Sequence, residues 1–202
     1  MIPSKYFLPF TPNGQETELT AIKVKSGLRL GPETSVDPFA VLGRIPARLL
    51  TPDDFTGCSP QTLRVLFGAL GDMVSAIGYG KSPVTGEWLI FVNRDHHIHR
   101  QRASLMEEIV HIMLDHPKTV LTPNGGVRKS RTYDRNIEDE AYNVGAACVI
   151  PYRDLFNSIK QRRETVEQIA ERYNVSNDYV CFRIKRAGLA NVYKKNCGPL
   201  SS

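Results

Sequence analysis

Long apolar runs are missing from this sequence. None approaches the roughly 20 residues that a membrane-crossing helix needs, so a membrane-spanning role is not expected. Paired cysteines are missing too. The four that occur, Cys58, Cys148, Cys181 and Cys197, stand far apart without a C-x-x-C spacing, which excludes a zinc ribbon or a disulfide framework and fits reduced thiols in a cytoplasm. Met1-Ile2-Pro3-Ser4-Lys5 has no basic start followed by an apolar stretch and a small-residue cleavage site, so secretion is not expected. Strong net charge is also absent. The balance of 26 Lys and Arg against 21 Asp and Glu leaves +5, compatible with nucleic acid or an acidic partner but of little weight without a concentrated patch. At 202 residues, 41% hydrophobic and 23% charged, the composition is that of one soluble globular unit with a small appendage.

What is present is concentrated in one stretch, Ser104-Leu-Met-Glu-Glu-Ile-Val-His-Ile-Met-Leu-Asp-His116. Between Leu105 and Leu114 every position is large and apolar except Glu107, Glu108 and His111, the pattern of a helix buried almost all round. Glu107 and His111 have i,i+4 spacing, and Glu108 and His111 i,i+3, so two carboxylates and an imidazole converge on one side. Burying ionised carboxylates costs on the order of several kcal/mol each unless a partner takes up the charge. A divalent cation would satisfy all three groups. The spacing is that of H-E-x-x-H, in which two histidines one turn apart hold zinc and the glutamate is a general base. Here Glu107 replaces the first histidine, and a carboxylate is itself an oxygen donor for zinc or for manganese. The structural alternative is a hydrogen-bonded Glu107 and His111 pair, with Glu108 neutralised by an arginine.

The flanks bear on that choice. From Val92 the chain runs Val-Asn-Arg-Asp-His-His-Ile-His-Arg-Gln-Arg-Ala into the helix, and further on comes Glu140-Ala-Tyr-Asn-Val-Gly-Ala-Ala-Cys-Val-Ile-Pro151. Both stretches resemble the ImmA/IrrE family of metallopeptidases. In that family a strand ending in Asn leads through a His-containing turn and an Arg to the metal helix, and a later helix carries E-A-x-x-F-A-x-x-L-L-M-P. Asn93, His97, Arg100, His111, Leu114 and His116 fall in the first frame, and Glu140 opens the second without a gap. The likeness runs from Asp37-Pro38-Phe39-Ala40 to about Leu189. It implies an α+β, zincin-like metallopeptidase domain with a small sheet packed on helices, metal ligation by Glu107, His111 and Glu140, and Glu108 as the catalytic base. Periodicity alone puts Glu138 and Glu140 on opposite flanks of the later helix's apolar stripe and does not choose between them. The resemblance takes Glu140 and leaves Glu138 as an alternative ligand or an acid behind the ligands. His97, with His96 and His99 beside it, is a further candidate to replace the missing helical histidine. The plainer reading of these three histidines, just beyond a strand, is that they face solvent or cap the helix.

In chain order, residues 1–35 are rich in Pro and Gly and are expected to form an irregular arm with one strand near Thr20-Ala-Ile-Lys-Val-Lys. Asp37-Pro38 opens a short helix to about Leu42, and Arg48-Leu-Leu-Thr is a strand candidate. Ser59-Pro60 opens an amphipathic helix to about Ala76, and Pro83-Val-Thr-Gly86 turns a hairpin whose second arm ends at Asn93. Thr122 to Arg131 is a glycine- and base-rich loop, either solvated or bending over a cleft. A helix capped by Asp134 or Asn136 runs to Ile150. Thr165 to Ser176 resembles the first half of a helix-turn-helix, with Arg183, Lys185 and Arg186 following as candidate phosphate contacts. The expected division is an arm over 1–35, a zincin-like domain over 36–160, a helix-turn-helix-like subdomain over 161–190 and a loose tail over 191–202. The expected function is that of a cytoplasmic regulatory metallopeptidase that hydrolyses a peptide bond in a protein substrate. By resemblance that substrate is a transcriptional repressor of a phage, mobile-element or stress switch. A non-catalytic relative acting as a protein- or DNA-binding regulator is the alternative. Nucleic-acid binding is expected to be weak and without sequence preference.

Overall fold

A computed structural model describes residues 7–55, 57, 59–61, 75–117 and 134–200. The expected amphipathic helix lies, over 62–74, outside the described residues, as do Cys58 and the expected loop from Thr122 to Arg131. In chain order the elements used below are α1 (Pro12–Gly27), α2 (Pro38–Val41), β1 (Ala47–Leu49), β2 (Ala76–Lys81), β3 (Trp88–Val92), α3 (Ile98–Met113), α4 (Arg135–Val149), α5 (Tyr152–Asn157), α6 (Val166–Tyr173), α7 (Asn177–Arg186) and α8 (Ala190–Cys197). Helices beside a small mixed sheet make this an α+β chain, consistent with a zincin-like fold. Among the described residues no helix is long and apolar enough to cross a membrane. The chain divides into two compact units, Pro38–Tyr142 and the pair of segments Met1–Asp37 and Asn143–Ser202.

Pro38–Tyr142 contains the sheet, in the order β1-β3-β2, with β1 parallel and β2 antiparallel to β3. Ile90, Phe91 and Val92 are all buried, as a central strand covered on both faces requires. Phe91 meets Phe55 edge to face at 6.2 Å and packs with Leu50 and Leu89. The hairpin turn is held by the Ser82 hydroxyl, which accepts hydrogen bonds from the backbone N–H groups of Val84 and Thr85. Helix α3 packs against β2, β3 and α2, burying Leu105, Met106, Ile109 and Val110. This apolar face leaves Glu107, Glu108 and His111 to be accommodated by the remaining turn of surface.

In the other unit the expected irregular arm is instead helix α1. Thr11 caps it, its hydroxyl accepting from Gly14 N–H at 3.2 Å, and Pro12 takes the first turn. Two of its buried positions are the charged Glu18 and Lys25, which hid the helical period from a hydrophobicity reading. Arg183 on α7 is 2% exposed, ion-paired with Glu18, and donates to the Ile150 carbonyl at 3.0 Å. It is therefore no phosphate contact, whereas Lys185 and Arg186 are exposed. Helices α6 and α7 follow each other across Asn174, which adopts a left-handed conformation, and Ser176, whose hydroxyl caps α7 by accepting from Tyr179 N–H. The expected tail is helix α8 over most of its length. Its Tyr193 is buried, and the hydroxyl accepts from Val166 N–H at 3.0 Å.

Candidate metal centre

The approach to α3 is a fixed turn. Asn93, at the end of β3, accepts from Asp95 N–H at 3.0 Å, and Arg100 donates to the Ser75 hydroxyl at 2.8 Å. His97 is the N-cap of α3, its Nδ1 accepting from His99 N–H at 3.3 Å. It stands a run of helix away from His111, roughly 20 Å at about 1.5 Å per residue, so it does not join the groups around His111. For His97 the plainer reading, a helix cap, is the one the geometry supports.

Near the other end of α3, one donor atom from each of Glu107, His111 and Glu138 lies within 4.8 Å of the other two. Glu138 comes from the first turn of α4, where Asp134 caps the helix by accepting from Asn136 N–H at 2.9 Å. Its Oε2 lies 3.5 Å from His111 Nε2. Glu140 turns to the other flank, 3.7 Å from His116 Nε2, and is more exposed than Glu138, at 49% against 33%. The acid beside His111 is thus Glu138, where the resemblance had taken Glu140. Two residues along a helix are about 200° apart, so only one of these acids can face His111.

Burial, then repulsion from Glu108 and Glu138, pushes the Glu107 carboxyl up to about 8. Burial also lowers the His111 pKa and favours the neutral ring; Glu138 opposes that effect and His116 adds to it. Two crowded acids and a neutral imidazole are a donor set of the types that divalent ions take, and a dication would relieve the repulsion that Glu107 feels. The residues fit a metal. Without one, the proton on Glu107 links stability to pH. The folded protein holds that proton up to about pH 8, and the unfolded chain releases it near the ordinary value of 4.5. The contribution of Glu107 to stability is therefore greatest below that lower value and falls as pH rises through the window, by at most about 1.4 kcal/mol per pH unit. Thermal unfolding of chelator-treated protein should show Glu107→Gln gaining on wild type between pH 5 and 9. Parallel curves would contradict this account of Glu107.

Glu108 stands outside that donor group. A Cβ on Gly78 would sit 2.7 Å from Glu108 Oε2, so the carboxylate rests against the bare backbone of β2. Beside that contact β2 carries one extra residue: Gly78 pairs with Ile90 and Gly80 with Leu89, and Gly80 adopts a φ of 100° that favours glycine. Sequence reasoning found Glu108 but not Gly78. Its only signal was two glycines in one strand, Ala76-Ile-Gly-Tyr-Gly, which marks a bulge or a close approach.

A helix-borne glutamate and histidine, joined by an acid from the next helix beside a small mixed sheet, suit a protein of the metallopeptidase-like class. The chain belongs to the peptidase M78 family, described as the IrrE N-terminal-like domain, whose profile matches residues 59–185. No curated protein matches the chain.

Proposed function

We propose that this chain is a regulatory metallopeptidase in which Glu107, His111 and Glu138 hold a divalent ion and Glu108 moves the proton. The convergence of those three donors carries the reading. When bound, the ion would polarise a peptide carbonyl and acidify water. Glu108, adjacent to the donor set yet outside it, takes the proton of the attacking water and returns it to the leaving amine. A carboxylate at position 107 adds negative charge where the usual motif has imidazole, which favours manganese alongside zinc. The family supports a protein substrate, and we assign a transcriptional repressor to that role. With Arg183 buried, Lys185 and Arg186 remain for phosphates, so duplex binding is weak and, with so few phosphate contacts, only shallowly salt-dependent.

Profiling of protein N-termini in cells expressing wild type or His111→Ala tests this reading. New termini that require His111 are expected. A non-catalytic relative that binds a protein or DNA partner is the alternative, and it gives identical termini in both strains.

The contact at Gly78 gives a second test. Gly78→Ala places a methyl group where the Glu108 carboxylate lies, and the flexible side chain moves rather than the strand. Hydrolysis should fall by about 10-fold or more, as for a displaced general base, with metal content and melting temperature little changed. Undiminished turnover would show that Glu108 works from another position.

A further inference from the structure

Helix α3 ends in a hydrogen-bonding pattern that folds the chain back on itself. Asp115 N–H donates to the Ile112 carbonyl at 3.3 Å, and His116 N–H donates to the His111 carbonyl at 3.0 Å, with Asp115 at a φ of 53°. A left-handed conformation costs an L-residue roughly 1 kcal/mol, and here it lays the His116 ring against the His111 ring. The two Nδ1 atoms are 3.0 Å apart, and the ring centroids 5.0 Å. Both rings are largely buried, with side chains 18% and 10% exposed. Four groups therefore stand in a row. Glu138 faces His111 Nε2, the two Nδ1 atoms face each other, and His116 Nε2 faces Glu140.

An Nδ1 to Nδ1 hydrogen bond needs one donor and one acceptor, so only two neutral arrangements exist. If His111 carries its proton on Nδ1, its Nε2 lone pair points at the Glu107 and Glu138 oxygens, and His116 must carry its own proton on Nε2, facing Glu140. In the reverse arrangement His111 Nε2 carries a proton and offers a metal no lone pair. We infer that Glu140 and His116 are positioning residues for the candidate metal centre: Glu140 holds the proton of His116 on Nε2, His116 Nδ1 then accepts from His111 Nδ1–H, and His111 Nε2 is left open to the ion. The relay rests on the proposed metal-site reading. It gives Glu140 a role distinct from ligation and explains why α4 carries acids on both flanks.

Zinc titration and nitrogen-15 NMR of the histidine rings test it. In zinc-loaded wild type, His116 should carry its proton on Nε2 and His111 on Nδ1. Glu140→Ala should weaken zinc binding about 10- to 100-fold, the usual cost of losing a partner behind a ligand. Glu140→Gln, which keeps an acceptor oxygen, should lose less. His116→Asn can place an acceptor oxygen near the Nδ1 position and should retain more affinity than His116→Ala. Because Glu140 is half exposed, replacing it removes little packing, and its variants carry the test where those at His116 fail to fold. Zinc binding by Glu140→Ala equal to wild type, or a loaded His116 with its proton on Nδ1, overturns the relay alone. A wild type that takes up no zinc overturns the metal-site reading and the relay with it.

Discussion

Glu138→Gln is expected to abolish metal binding, while Glu140→Gln keeps it. In the structure Glu138 belongs to the donor set with Glu107 and His111, and Glu140 stands behind His116. Replacing a ligand carboxylate by an amide removes both a charge and a strong donor. The loss of affinity should exceed the roughly 10- to 100-fold that follows removal of an outer partner. For Glu140→Gln, which retains an acceptor, about 10-fold is the most expected. Calorimetric titration with zinc reads both variants directly. The reverse order would restore Glu140 as the ligand that the family resemblance implies, and equal losses would mean that neither acid acts alone.

Glu108→Gln should lower hydrolysis by about 10² to 10⁴, the usual contribution of a positioned proton carrier, and leave the ion in place. The carboxylate that disappears rests against Gly78 and lies outside the group formed by Glu107, His111 and Glu138. Such a variant also supplies a means of trapping the substrate. A Glu108→Gln protein with wild-type turnover would assign the proton to another group, and one that lost its metal would place Glu108 among the ligands.

The site was legible where residue type and spacing on one helix carried the information. Glu107, Glu108 and His111 are read from i,i+3 and i,i+4 offsets within an otherwise apolar helix, and the structure keeps Glu107 and His111 together. The third acid was not legible from periodicity, because Glu138 and Glu140 lie at similar angles on either side of the α4 stripe. What separates them is how α4 meets α3, a tertiary fact. Gly78 was only hinted at, by two glycines in one strand, for a related reason: the value of a missing Cβ depends on what stands opposite it. In the fold, β1, the hairpin of β2 and β3, α3 and α4 follow from caps, turns and apolar runs. Helix α1 was missed because Glu18 and Lys25 lie in its buried face. Arg183 looked like a phosphate contact because a basic side chain in a basic stretch gives no sign of a buried carboxylate partner far away in sequence.

The most direct test of the central claim is the metal content of purified wild-type protein after exposure to zinc and manganese and removal of the excess. About one divalent ion per chain is predicted, absent from His111→Ala and from Glu138→Gln and retained by Glu107→His, which restores the usual ligand pair. A wild type free of metal, with a Glu107→His variant that also takes up none, would contradict the account and leave Glu107, His111 and Glu138 as a structural cluster.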